Sequence, residues 1–301
     1  MKRIFEWMTA GLSLRELGAR MFREIMQSNL FGRAGELSYF FLLSLFPLLI
    51  FLTSLFGTIL GENDELRSTL FRSLRTVLPR DAFVLVNETI TSVTENASGS
   101  KLSFGLVATL WAASSGVSAT IDALNSAYNI QDPNPWWRTR LRAVGLTVAL
   151  SGFVTLALLL MLGGSHAAEW VSDRFGMSES FELGVKVLQW PLILIFVTIA
   201  FGLLYRFAPS MGAQKASALA PGTVLAVVLW ILISLGFRLY LSLFNTYGAT
   251  YGSLGAVIIL MLWFYFTSVT ILLGGELNSE LDRARRETAK EREKAGHLDV
   301  E

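Results

Sequence analysis

Six long apolar windows constrain what this 301-residue chain can fold into. They cover residues 37–60, 102–124, 143–163, 185–205, 221–244 and 253–275. A helix needs about 20 apolar residues to cross a hydrocarbon layer ~30 Å thick, whereas a barrel strand needs about 10. Inside a bilayer, a helix of that length satisfies its own backbone N–H and C=O groups. The expected fold is therefore all-α: a polytopic membrane bundle of six transmembrane helices. The second window is the least apolar, because Ser114, Ser115, Ser118, Thr120 and Asp122 interrupt it. Composition agrees, since only 16% of residues are charged against about 25% in a soluble domain.

Basic residues set the expected orientation, since Lys and Arg accumulate on the cytoplasmic side of short loops. Lys2, Arg3, Arg15, Arg20, Arg23 and Arg33 precede the first window, Arg138, Arg140 and Arg142 follow the second, and Arg206 and Lys215 follow the fourth. Arg283, Arg285, Arg286, Lys290, Arg292 and Lys294 follow the sixth. The tally is 17 on this side against 7 on the other, with Arg238 left inside a window. Both termini are thus expected in the cytoplasm. Three segments follow: an amphipathic N-terminal stretch 1–36, a six-helix membrane domain 37–275 and a charged tail 276–301. The membrane domain includes an extracytoplasmic helical loop, 61–101.

Leu14, Leu17, Met21, Phe22 and Ile25 recur at helical spacing with arginines between them. This predicts an amphipathic helix on the cytoplasmic leaflet. In the outer loop, Leu66, Leu70, Leu74 and Val77 make one stripe, and Phe83, Val86, Ile90 and Val93 another. They predict two helices packed as a small cap. From Ser279 onward, acids and bases alternate at i,i+4 spacing, which reads as a solvated helix.

Several segments together resemble a known family. They are Leu37-Ser-Tyr-Phe-Phe-Leu-Leu-Ser-Leu-Phe-Pro47, Leu110-Trp-Ala-Ala-Ser-Ser-Gly116, Leu124-Asn-Ser-Ala-Tyr-Asn129 and Leu204-Tyr-Arg-Phe-Ala-Pro209. Ala249-Thr-Tyr-Gly-Ser-Leu-Gly255, Leu262-Trp263 and Gly274-Gly-Glu-Leu-Asn278 complete the series. In this order they resemble the BrkB/YihY family of bacterial inner-membrane proteins, once mislabelled ribonuclease BN. The resemblance implies six spans, an inner-membrane address and a role in envelope integrity or transport. It implies no particular substrate.

Ionisable groups within or beside spans are costly and so become candidate functional residues. Glu36, Asp122, Arg206 and Glu276 fall near the cytoplasmic ends of their windows, where they suit either an ion-pair network or a gate. Arg238 lies about 9 Å before the outer end of its window, at 1.5 Å per residue. It can snorkel, meet a loop acid such as Glu88, or contact an anion or lipid phosphate. Asn245, Tyr247 and Tyr251 lie nearby in sequence and suit a polar headgroup. Trp111, Ser115, Ser118, Asp122 and Asn125 share one helical face. That face is expected to point into the bundle, as a packing seam or as the lining of a polar pathway.

The same inventory weighs against other classes. There is no cysteine and there are two histidines, so no thiolate or His-rich metal centre is expected. No nucleophile has an evident base, which leaves no catalytic residue, cofactor or metal to assign. A net charge of +1 gives no electrostatic signature for nucleic acid, and ribonuclease chemistry lacks its acid–base or metal groups. The expectation is a non-enzymatic, transporter-like envelope protein whose partners are membrane lipids and whose cargo is anionic or amphipathic. The alternative is a non-transporting scaffold that binds lipids or proteins. An oligomer is compatible with either.

Overall fold

The computed structural model describes residues 9–10, 12–60, 99–130, 134–175, 179–210, 221–243 and 253–298. The two predicted cap helices fall in 61–98, outside the described residues, as do Asn245, Tyr247 and Tyr251. The described part is all-helical, with seven helices and no strand. They are α1 (Leu14–Gln27), α2 (Leu30–Leu60), α3 (Gly99–Ala127), α4 (Trp136–Phe175), α5 (Glu179–Phe207), α6 (Pro221–Leu243) and α7 (Ser253–Leu298).

Five of these contain a stretch long and apolar enough to cross a membrane: Leu30–Leu52, Trp136–Ala157, Trp190–Phe207, Pro221–Ser242 and Val257–Lys290. The exception besides α1 is α3, which holds the polar-interrupted second window. Even so, α3 is an integral member of the bundle. Neighbours in sequence pack against each other from α2 through α7, and α7 returns to α2, so six helices close a ring. The core between them contains Leu30, Leu37, Ile121, Leu124, Ala143, Leu146, Leu204, Tyr205, Ala226 and Leu272.

The polarity of this bundle is inverted relative to a soluble protein. Val224, Val228, Leu232, Leu235 and Leu239 form an exposed apolar face on α6, and Leu188, Trp190 and Ile195 stand exposed on α5. Inside, several buried hydroxyls return to the backbone of their own helices: Thr120 donates to Gly116 O at 2.8 Å, Thr147 to Ala143 O at 2.8 Å and Thr270 to Thr267 O at 2.7 Å. Small polar residues satisfied locally are what helix packing in lipid favours.

Helix α1 starts at Leu14, behind a capping serine. Ser13 and Glu16 have the spacing of a capping box, and Ser13 Oγ accepts from Glu16 N at 3.2 Å. A sharp turn through Asn29, at φ 50°, leads directly into α2, and Arg33 Nε donates back to Ser28 O at 3.1 Å. Asparagine tolerates this left-handed conformation better than most residues. The expected leaflet-facing stripe is divided, however. Leu17 is buried with Leu277 and Leu281 of α7, with Met21 packed alongside, and Ile25 packs on the main core. Phe22 and Met26 remain exposed.

The tail is helical as expected after Ser279 and exposed at 286–290, but its first turns are not solvated. Helix α7 is continuous from Ser253 to Leu298, and Ser279, Glu280, Leu281 and Ala284 are buried. Leu277, Leu281 and Ala284 continue an apolar stripe at helical spacing past Gly275, and α1 docks at Leu277 and Leu281.

Candidate functional site

Chain termini of several helices converge at the end of the bundle opposite Arg238. Helix α3 stops there in a Schellman-type cap. Asn129 adopts φ 51°, Ile130 N donates to Asn125 O at 2.8 Å, and Asn129 N donates to Ser126 O at 2.9 Å. This cap delivers three side chains to one place. Asn129 Nδ2 donates to Glu24 Oε1 of α1 at 2.9 Å. Asn125 grips the segment after α5, accepting from Ser210 N at 2.7 Å and facing Ser210 Oγ at 3.4 Å. Tyr128 turns inward and is 8% exposed.

Helix α7 supplies the opposite wall. Arg283 bridges Glu24 at 3.0 Å and Glu280 at 2.9 Å, with the Glu280 side chain almost wholly buried. The Arg283 hydrogen bond holds the Glu24 carboxyl below the usual glutamate range, helped by Asn129 and opposed by burial. Nearby, Arg20 reaches Glu287 at 3.0 Å. Asn278 Oδ1 accepts from Gly222 N at 2.8 Å, satisfying one of the orphan amides in the first turn of α6. Pro221 occupies the first position of that helix, where its missing N–H costs nothing.

Glycines allow these walls to meet. A Cβ on Gly222 would lie 2.0 Å from Gly274 O, and one on Gly274 would lie 2.2 Å from Tyr205 Oη. A Cβ on Gly275 would lie 2.6 Å from Leu124 Cδ2. Tyr205 is fully buried, and its hydroxyl donates to Ile271 O at 2.7 Å. Three segments of the family resemblance, around Leu124, Tyr205 and Gly274, are thus in contact.

Between the walls lies a cavity of about 370 Å³, lined by Tyr128, Asn129, Ser210, Ser279, Asp282 and Arg286 together with Ile130 and Arg283. Its charges are unevenly engaged. Arg283 is held by two glutamates, and Asp282 meets Arg285 at 3.5 Å. Arg142 of α4 donates to Ser210 Oγ at 2.6 Å. Among the described residues no group of three or more His, Cys, Asp or Glu is arranged to hold a metal ion.

The residues singled out from sequence distribute unevenly around this site. Glu276 belongs to it: it is 1% exposed, one carboxylate oxygen lacks a hydrogen-bond partner among the described residues, and Ser28, Glu24, Arg283 and Glu280 surround it. Its guanidinium neighbour is therefore Arg283. Arg206 is half-buried in the last turn of α5, and Glu36 is exposed on α2. The predicted polar face of α3 does not point wholly inward. Asn125 is buried and Ser115 and Ser118 are half-buried, but Trp111 and Asp122 are exposed. Arg140 of α4 covers part of that face, stacking 4.5 Å from the Trp111 ring and donating to Ser115 Oγ at 3.2 Å. Arg238 is exposed beside Leu235 and Leu239, with no hydrogen bond or ion pair to a described residue.

Sequence reasoning missed Glu24, Tyr128, Ser210, Asp282, Arg283 and Arg286. The available signal was the Leu277–Leu281–Ala284 stripe, which marks one face of the tail helix as packed.

The family described as "Virulence factor BrkB" matches residues 21–298. A protein of Bacillus subtilis (strain 168) named as ribonuclease-like, YfkH, is 35% identical over 255 residues, 85% of this chain and 91% of that one. A UPF0761 membrane protein of Azotobacter vinelandii is 34% identical over 51% of this chain and 38% of its own length. One from Xanthomonas campestris pv. campestris is 25% identical over 89% of this chain and 61% of its own length. The chain therefore spans less than two thirds of these two UPF0761 relatives. No solved structure matches it.

Proposed function

The chain belongs to the BrkB family of membrane proteins, and from that premise we propose a transporter-like role in envelope integrity, moving an anionic, lipid-type cargo in a bacterial inner membrane. The observation that carries the cargo class is Arg238. It borders the exposed apolar face of α6 formed by Val228, Leu232, Leu235 and Leu239. A guanidinium beside a lipid-facing surface needs an anion or must snorkel to the interface. Arg238 stands five residues before Leu243, the end of α6, roughly 8 Å along the axis. Headgroup phosphate lies within its reach and matches its paired donors.

The topology we propose has six crossings with both termini cytoplasmic. Its support is a parity argument. Helix α1 leads into α2 through a single turn, yet it is tied to the far half of α7 by Glu24–Arg283 and Arg20–Glu287. Segments in direct contact before the first and after the last crossing would share a side, which supports an even number of crossings, with α3 added to the five apolar helices as the sixth.

Nuclease chemistry is not part of this reading: the "ribonuclease-like" label belongs to the Bacillus relative, and the polar cluster here is a set of ion pairs and caps. The scaffold alternative draws on the closely packed core around Tyr205 and Gly274. Translocation of a fluorescent phosphatidylglycerol in proteoliposomes separates the two. Wild type is expected to exceed empty vesicles, Arg238→Ala to lose most of the excess, and Arg238→Lys to retain part. Equal rates for wild type and empty vesicles overturn transport and favour the scaffold.

A further inference from the structure

We propose that the cavity beneath Tyr128 is a phosphate-binding site, taking the singly charged phosphate of a diester headgroup or of a small phosphorylated solute. The case starts from a buried hydroxyl. Tyr128 lines the cavity at 8% exposure, and its Oη makes no hydrogen bond to a described residue. The amide of Asn278 lies beside this hydroxyl, its Nδ2 likewise without a hydrogen bond of good geometry to a described residue, and the Asp282 and Glu276 carboxylates are close enough to act on it. Asn278 cannot turn to offer its oxygen, because Oδ1 is already committed to Gly222 N. Tyr128 Oη therefore faces a donor and is free to give its own proton to an acceptor within the cavity, where Asp282 is the acceptor the chain itself supplies. A buried polar group left unmatched costs about 1–3 kcal/mol, so an acceptor there is strongly favoured.

Charge selects the acceptor. Arg283 meets two carboxylates, Glu24 and Glu280, and Asp282 meets Arg285 at 3.5 Å and is acted on by Arg286 as well. Arg286 also lines the cavity; it makes no direct hydrogen bond or ion pair to a described residue and acts on Asp282 only through space. The Arg286 guanidinium thus has its donors uncommitted, and its planar fork suits two oxygens of a phosphate. The hydroxyls of Ser210 and Ser279 add neutral donors around the same space. Asp282 on the rim disfavours a polyanion such as a nucleotide triphosphate and tolerates a monoanion. The volume, about 370 Å³, is within the ~300–1,000 Å³ of small-molecule pockets, ample for a phosphoglycerol headgroup.

This inference rests on the proposed orientation only in placing the cavity at the cytoplasmic leaflet. Its test is calorimetric titration of the full chain in dodecyl maltoside, a detergent without phosphate. Three probes are added separately: inorganic phosphate, glycerophosphoglycerol and phosphatidylglycerol. Saturable binding of at least one is expected, weakened about tenfold, or ~1.4 kcal/mol, by both Tyr128→Phe and Arg286→Ala. Tyr128→Phe removes only the unpartnered hydroxyl, and Arg286 is exposed, so both variants should melt like wild type. Binding confined to the lipid identifies a headgroup site, and binding of the soluble probes identifies a solute site. No saturable binding of any probe, or an affinity that either variant leaves unchanged, overturns the proposal and assigns the cavity to water. Flux without this binding would reject the site and keep transport; binding without flux would do the reverse.

Discussion

Glu24 accepts from donors that arrive on two different helices, Asn129 after α3 and Arg283 on α7. Its side chain is only 16% exposed, so the interaction with Arg283 is screened less than a surface ion pair. Replacing the carboxylate with an amide in Glu24→Gln keeps the shape and removes the charge. The expected loss is about 1–3 kcal/mol at neutral pH, read as a lower midpoint in thermal unfolding of the purified chain. The sign with pH follows from the depressed folded-state pKa. The stabilisation is fully present above the unfolded glutamate pKa of about 4.3 and is lost as pH falls through the lower folded value. Wild type and Glu24→Gln should therefore differ at pH 7.5 and converge in acid. A gap that persists unchanged at pH 3 assigns the loss to packing instead. None of this was evident in the sequence, where Glu24 is one of several charges on an amphipathic helix. Its partners lie 105 and 259 residues away, and spacing rules see only neighbours within a turn or two.

Helices α6 and α7 approach through Gly222 and Gly274, whose backbones occupy the space a side chain would need. Gly274→Ala is the sharper probe of this contact. Its methyl would meet the Tyr205 hydroxyl at 2.2 Å and Gly222 O at 2.6 Å, and the second of these is backbone. Overpacking of this kind costs about 1–3 kcal/mol, and here it outweighs the ~0.5–1 kcal/mol that alanine gains over glycine within a helix. Gly152→Ala on α4 is the matched control, because nothing lies within 4 Å of its added Cβ. Thermal unfolding should show the first variant destabilised and the second unchanged or slightly stabilised; equal melting would remove the close approach as a determinant of the bundle. At this scale the sequence was readable where hydrophobic length decides the outcome. The apolar windows fall within α2 to α7, apart from one residue of 221–244 that lies outside the described residues, and several of these helices extend well beyond their windows. It misled at the tail, where acids and bases at i,i+3 and i,i+4 spacing mimic a solvated helix. The Leu277–Leu281–Ala284 stripe marks an apolar face on the tail, but its partner is α1, whose Leu17 supplies the other half of the contact. An amphipathic helix declares that it has an apolar face, and the partner for that face is a tertiary fact.

The whole molecule turns on how many times the chain crosses the membrane, and hydropathy and tertiary contact give different answers. Six windows are apolar in the sequence, but among the described residues only five helices hold a stretch apolar enough to cross without help, an odd number, which would put α1 and the end of α7 on opposite sides. The contacts between α1 and α7, apolar at Leu17 and ionic at Glu24 and Arg20, require the same side. At 46 residues α7 is roughly 69 Å long, more than twice the ~30 Å hydrocarbon core. Its C-terminal half therefore projects far enough to receive α1 outside the membrane. The conflict resolves if α3 crosses despite its serines and Asp122, shielded by neighbours on both sides and by Arg140 stacked on Trp111. A chain without cysteine makes this directly measurable. Single variants Ala19→Cys on α1 and Lys290→Cys on α7 would be expressed in intact bacterial cells and treated with a membrane-impermeant maleimide. Six crossings with the proposed orientation predict that both stay unlabelled until the cells are permeabilised. If one labels from outside and the other only after permeabilisation, the parity is odd and α3 does not span. In that case the α1–α7 contacts could not form in the membrane-embedded protein, and the cavity under Tyr128 would lose the wall that Arg283 and Glu24 hold in place.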